Sequence, residues 1–229
     1  GLSVVDSQNL SGDAFVALTN AALHTERLKL QTGVTNSITR TAATLAAAVA
    51  SVHSISRGRA VLGIGRGDSA LAHLGRAPAR LDQFERYMRH LQAYLGGDHV
   101  PFDELVDISI DAAPPLDALQ LAEAPPDSHI GWIATSQADG RKVPVEVAAS
   151  GPKVIAIAAR TAWGIELARQ ARREAGLDPD TLRFGVYVNC GCHPDIDVAR
   201  DLVKGGLTVY ARFGIMHGWT SGPLSESQR

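Results

Sequence analysis

Cysteine is nearly absent, with two residues in 229. One pair cannot staple a chain of this size, and a reducing, cytoplasmic compartment is the expectation. Aromatic residues are scarce, at 5% of the chain, so Ala and the aliphatic residues must fill the core. Charge of one sign is not in excess: 22 Lys and Arg stand against 24 Asp and Glu. A nucleic-acid surface calls for a basic surplus, so nucleic acid is not an expected partner. No run approaches the roughly 18 apolar residues that span a bilayer, and no membrane partner is expected. The nearest, 41–52, is Ala-rich and broken by Thr and Ser. With 22 Gly and 11 Pro the chain is neither collagen-like nor disordered in composition. Gly1-Leu2-Ser3-Val4-Val5 carries no signal-peptide pattern and begins as the middle of a strand does, so the natural N-terminus is expected to lie upstream.

What is present is an alternation of apolar runs and helical stripes. Leu2-Ser3-Val4-Val5 reads as a strand ending at Asp6, and Ser11-Gly12-Asp13 opens a helix through Phe15, Val16, Leu18, Ala22 and Leu23. Leu28 to Val34 alternates as one strand, and a helix follows through Leu45, Val49 and Val52 until Gly58 stops it. Ala60-Val61-Leu62-Gly63-Ile64-Gly65 reads as a buried strand. Leu81, Phe84, Met88, Leu91 and Leu95 mark an amphipathic helix closed by Gly96-Gly97. Residues 98–128 dissolve into an irregular insertion, where Pro114-Pro115 and Pro125-Pro126 forbid long elements. Further strands are expected at Ile130-Gly131-Trp132-Ile133, 143–148 and 184–189, with a helix after Pro152 and a last one from about Asp195. About six strands alternating with helices predict a single α/β domain with a parallel sheet, either doubly wound or an incomplete (β/α)8 barrel. The uninterrupted helical reading over 153–174 leaves Ala162-Trp163 as a place where a strand is missing.

In both architectures ligands bind at the carboxyl ends of the strands. Small and polar residues gather there: Asp6-Ser7-Gln8, Gly33-Val34-Thr35-Asn36, Gly65-Arg66-Gly67-Asp68, Ala149-Ser150-Gly151-Pro152 and Asn189-Cys190. The glycines of 63–67 do not have dinucleotide-fingerprint spacing, and no acidic residue closes a strand about 20 residues on. Tight packing of a strand end is the plainer reading. Ser150-Gly151-Pro152 is either a plain strand-to-helix turn or an anion site made by free N–H groups at a helix start. Cys190-Gly191-Cys192-His193 lacks a second ligand cluster with zinc spacing, so structural thiols and no metal are expected. Asp6 and Asp68 are the candidate titrating pair, with a raised pKa if buried beside an uncharged ring; helix capping or a solvated loop carboxylate is the alternative. Among the histidines only His73 lies near a strand end, and a surface position suits it better. Trp132 and Trp163 are read as packing residues.

Three motifs carry a family likeness. Gly33-Val34-Thr35-Asn36-Ser37-Ile38-Thr39-Arg40, then residues 58–71 around Gly63-Ile64-Gly65-Arg66-Gly67-Asp68, then Val147-Ala148-Ala149-Ser150-Gly151-Pro152 resemble the bacterial luciferase-like superfamily. The nearest likeness is to its deazaflavin branch, the methylenetetrahydromethanopterin reductase-like proteins. The resemblance implies a (β/α)8 barrel, here lacking a first strand, a strand after the Pro152 helix and a last strand. It implies a cytoplasmic, homodimeric oxidoreductase acting on a small molecule with coenzyme F-420. An FMN-dependent monooxygenase and a cofactor-free, non-catalytic barrel subunit are the alternatives. It also implies a non-prolyl cis peptide in the strand ending Gly33-Val34. Asp6 matches the acidic residue that contacts the ring, Asp68 the acidic residue near the reacting face, and Ser150-Gly151-Pro152 the loop that receives the cofactor phosphate. Ser7 stands where several hydride-transferring relatives have His, which removes the usual proton donor.

Overall fold

Strand β4, Ala60–Gly65, is the spine on which the other elements are arranged. Its even positions Ala60, Leu62 and Ile64 are at most 2% exposed and belong to the hydrophobic core, whereas Gly63 and Gly65 occupy the opposite face. The structure is a computed structural model that describes residues 1–106, 108–116, 125–133, 142–149, 152–161, 172–178 and 195–198. The chain divides into two compact units, Gly1–Phe184 and Gly185–Arg229, and every named element lies in the first.

All strand pairings are parallel among the described residues. β1 (Leu2–Val4) pairs with β2 (Leu30–Thr32), β2 and β3 (Thr35–Asn36) both pair with β4, and β5 (Val145–Val147) takes the other edge of β4. The span expected as one strand from Leu28 to Val34 is in fact β2 and β3, two short segments on the same neighbour. Between them the Gly33–Val34 peptide is cis, as the resemblance implied. Gln31 pairs with Val61 and Thr35 with Ile64, so four steps along one strand answer three along the other. This is a bulge of one residue.

Helices cover the even face of β4. In α1 (Ala14–His24) Asp13 caps the first turn, its Oδ1 accepting from the N–H groups of Phe15 and Val16 at 2.8 and 3.1 Å. α2 (Ala42–Ile55) starts at Thr41, whose hydroxyl accepts from the Thr44 N–H, and buries Ala42, Leu45, Ala46, Val49, Ala50 and Val52. Those alanines fill the aromatic-poor core, because a helix face without bulky side chains sits close to its neighbours. α3 (Asp68–Ala72) is short. α4 (Leu81–Gly96) buries Phe84, Met88, Leu91 and Leu95 along one stripe and ends at Gly97, whose φ of 81° is a left-handed cap. At the amino ends of the strands Arg59 donates to the carbonyls of Ala22, Thr25, Leu28 and Ser56, tying α1, α2 and the loop before β2 together.

After α4 the described residues of 98–128 include a 3-10 turn at Phe102–Glu104, and an antiparallel bridge joins Val100 and Ser128. The strand expected at Ile130–Ile133 is instead a turn: the Ile133 N–H donates to the Ile130 carbonyl at 3.1 Å. Its exposure pattern explains the misreading. Ile133 is buried and Ile130 half-buried, a spacing of three, while Gly131 and Trp132 face outward. Trp132, read as a packing residue, is 42% exposed. α5 is Pro152–Thr161. The possible gap at Ala162-Trp163, the strand expected at 184–189, the thiols Cys190 and Cys192, His193 and the last helix beyond residue 198 lie outside the described residues. No described helix is long and apolar enough to cross a membrane.

Candidate functional site

Because the strands run parallel, their carboxyl ends lie along one edge, where Asp6 contacts Thr35, and Asn36 pairs with Gly65 and lies close to Gly67. Asp6 follows β1 and is 2% exposed. Its Oδ1 accepts from Gln8 Nε2 at 2.9 Å, and its Oδ2 from Thr35 Oγ1 at 2.6 Å and Arg40 Nη1 at 2.5 Å. Arg40 reaches on to Asp13 Oδ2 at 2.6 Å, stacks over the Phe15 ring 5.0 Å from its centroid, and accepts at its carbonyl from Tyr87 Oη. A carboxylate held by a guanidinium and two neutral donors is a positioning element for the strand-end loops. The guanidinium makes those surroundings charged, where the sequence reading allowed an uncharged ring beside Asp6.

Asn36 is 1% exposed and pairs with Gly65. Its side-chain Oδ1 accepts from the N–H groups of Ile38 and Thr39 at 3.0 and 2.9 Å, which orients the amide and sends Nδ2 the other way. That Nδ2 is buried and has no hydrogen-bond partner in the structure, and neither has the buried Ser7 hydroxyl. Such a group costs about 1–3 kcal/mol when it stays unsatisfied. Ser37 Oγ and Thr39 Oγ1 of the same motif, and Arg86 Nε and His90 Nδ1 on α4, are likewise buried without a partner.

The glycines keep this edge open. A Cβ at Gly33 would lie 1.9 Å from Ser3 Oγ, and one at Gly63 2.2 Å from the Thr32 carbonyl oxygen. A Cβ on Gly65 would meet Val34 Cγ2 at 3.3 Å and the Ala148 Cβ at 3.5 Å, so the bulged Val34 rests against the glycine face of β4. Gly67 has φ 91° and approaches the Asn36 Cβ closely. Asp68 opens α3 immediately after it and is exposed. Its exposure is that of a solvated loop carboxylate rather than a buried one. Next to β4, the Ala148 N–H donates to the Ile64 carbonyl at 2.8 Å and Ala149 is half-buried. Ser150 and Gly151 lie outside the described residues, and α5 begins at Pro152. His73 is exposed, and its carbonyl accepts from Asn9 Nδ2. A groove of about 460 Å³ on α1 and α2, lined by Phe15, Val16, Leu23 and Ala48 among others, contains none of these residues.

Sequence reading missed Arg40. It was visible only as the last residue of the Gly33–Arg40 motif, and nothing local announces a side chain that bonds Asp6 and Asp13 across 34 and 27 residues.

A family model described as luciferase-like monooxygenase matches residues 2–226. The chain belongs to this family. A 5,10-methylenetetrahydromethanopterin reductase of Methanolobus tindarius is 48% identical over 58 residues, which are 25% of this chain and 18% of that protein. The coenzyme F-420-dependent tetrahydromethanopterin reductase of Methanopyrus kandleri superposes with a TM-score of 0.68 at 20% identity, over 96% of this chain and 67% of that one. A monooxygenase from Streptomyces bottropensis gives 0.57 at 20% identity, over 90% and 66%. An F-420-dependent secondary alcohol dehydrogenase, solved with an F-420–acetone adduct, gives 0.55 at 20% identity, over 75% and 52%. The resemblance to the luciferase-like superfamily therefore holds, and the Methanolobus tindarius reductase that matches part of the chain carries the name of the methylenetetrahydromethanopterin reductase branch. The fold is that of the luciferase-like (β/α)8 barrels, of which the described strands form one arc.

Proposed function

We propose that this luciferase-like chain is an oxidoreductase that works with coenzyme F-420 on a small organic substrate. The observation that carries the reading is the pair of buried, unpartnered donors, Ser7 Oγ and Asn36 Nδ2, beside the bulged Gly33–Val34 peptide. A heteroaromatic ring edged with carbonyls offers acceptors to both. Ser7, Asn36, Gly65 and Gly67 would hold such a ring, with Val34 behind it and Thr35 committed to Asp6. Ser150, Gly151 and Pro152 would receive the anionic tail, since α5 opens at Pro152 and the start of a ten-residue helix presents free N–H groups. When bound, the deazaflavin supplies or accepts the hydride.

The chain's own part is position and proton handling. Asp6 and Arg40 fix the loop that carries Ser7 relative to the bulge through Thr35. Asp68, exposed at the mouth, is the carboxyl group offered to the substrate for proton exchange, a role it fills only within hydrogen-bond reach of that substrate. Ser7 in place of His shortens the side chain, leaving room for substrate or ring and placing the proton duty on Asp68. The second reading, an FMN-dependent monooxygenase, is favoured by the likeness to the Streptomyces bottropensis monooxygenase.

Fluorescence titration of the purified chain with coenzyme F-420 and with FMN tests the reading. Saturable binding of F-420, weakened at least ten-fold in Asn36→Ala, supports it. Preference for FMN replaces it with the second reading, and binding of neither favours the cofactor-free subunit.

A further inference from the structure

A group of three side chains far along the chain from the strand-end motifs carries its own chemistry. His99, Asp127 and His129 flank the antiparallel bridge that joins the two ends of the 98–128 insertion. Val100 and Ser128 exchange N–H to carbonyl bonds of 2.8 and 2.9 Å. Val100 is 2% exposed, and the Ser128 hydroxyl accepts from the buried Tyr94 at 2.7 Å, so the bridge is anchored to α4. Extended backbone alternates its side chains, so Asp127 and His129 share one face and His99 stands opposite His129. All three point outward together.

We propose that His99, Asp127 and His129 bind one divalent cation of the zinc class at the neck of the insertion. His99 Nδ1 lies 2.6 Å and His129 Nδ1 3.7 Å from the same Asp127 oxygen, and the three ligand atoms fall within 4.8 Å of one another. Zinc bonds of about 2.0–2.1 Å place neighbouring ligand atoms about 3.3 Å apart, inside that spread, so only small side-chain movements are needed. Two imidazole nitrogens with one carboxylate suit zinc, cobalt or nickel; calcium and magnesium prefer all-oxygen sets. The imidazoles stack with centroids 4.3 Å apart, both turned to one anionic oxygen. The fourth position faces solvent. A cation there ties residue 99 to residues 127 and 129, closing the insertion at its base independently of the strand-end site.

The test uses the full, tag-free chain after chelator treatment, titrated with Zn²⁺ by calorimetry and with Co²⁺ by visible absorption. One equivalent should bind, with a Co²⁺ ligand-field band of nitrogen–oxygen coordination. Affinity should fall at least ten-fold in His99→Gln, His129→Gln and Asp127→Asn, and stay unchanged in His24→Gln, an exposed histidine of α1. All four sites are on the surface, so folding is checked by circular dichroism and is expected to persist. No one-equivalent binding, or binding indifferent to all three ligand substitutions, overturns the site and leaves a hydrogen-bonded carboxylate.

Discussion

Arg40 Nη1 lies 2.5 Å from Asp6 Oδ2, with the two side chains 14% and 2% exposed, so the ion pair is essentially withdrawn from water. Breaking such a pair leaves a buried charge without compensation, at a cost of about 3–5 kcal/mol. Arg40→Met should lower unfolding stability by an amount of that order. Arg40→Met with Asp6→Asn should cost less than the two single changes added together. Urea denaturation of the four proteins reads this out; strict additivity would show that the contact is not felt.

Asp13 adds a pH dependence. Burial pushes its carboxyl up, but the N–H groups of Val16 and Phe15 and the Arg40 guanidinium together outweigh this and hold it below the ordinary aspartate value. A carboxyl lowered on folding stabilises above its unfolded pKa and loses that contribution as the pH falls through the folded one. Asn keeps the cap without the charge, so wild type should exceed Asp13→Asn modestly at pH 7, by about 1 kcal/mol or less at this half-exposed site. The two proteins should converge in acid. Denaturation midpoints at several pH values decide it, and a gap that widens toward low pH would reverse the assignment.

The close approaches at Gly33 and Gly63 differ in kind. A Cβ on Gly33 meets the end of a Ser3 side chain, whereas one on Gly63 meets the backbone oxygen of Thr32. Gly33→Ala should cost about 1–3 kcal/mol and be partly rescued by Ser3→Gly, while Gly63→Ala should cost at least as much with no such rescue. Thermal melts of the single and paired variants measure both.

Ser7 and Asp68 should separate stability, binding and turnover. Removing an unpartnered hydroxyl relieves its cost, so Ser7→Ala should be at least as stable as wild type, by up to about 1–3 kcal/mol, while weakening F-420 binding several-fold. Asp68→Asn should leave binding near wild type and lower kcat by about 100-fold or more, the usual contribution of a positioned acid. Unchanged turnover would take Asp68 out of the reaction. Calorimetry for the first variant and steady-state kinetics for the second supply the readings.

Local pattern made much of the scaffold legible. Ala60–Gly65 and Leu81–Gly96 have the expected bounds because an apolar run and a helical stripe each end at glycine. The helix start read at Ser11-Gly12-Asp13 is the Asp13 cap, whereas Thr41, the cap of α2, was not singled out. What local pattern could not show was partnership. Arg40 acts through residues distant in sequence, and the orphaned state of Ser7 and Asn36 is defined only by what surrounds them. His99, Asp127 and His129 were silent because the Val100–Ser128 bridge brings them together across about 30 residues. Ile130–Ile133 misled because four apolar-looking positions obey a turn's spacing as well as a strand's.

The mismatch in step beside Gly33 and Val34 has one more consequence. Before it, even-numbered residues look toward the helices, Leu30 facing as Ala60 does. After it, odd-numbered Thr35 looks that way, matching Ile64, and Asn36 turns to the mouth with Gly65. A loss or gain of a single residue here would transpose the two, turning the amide toward the helices and stranding the Thr35 hydroxyl away from Asp6. Length in this stretch can drift only in twos, which makes its parity a fixed signature of any working version of the chain.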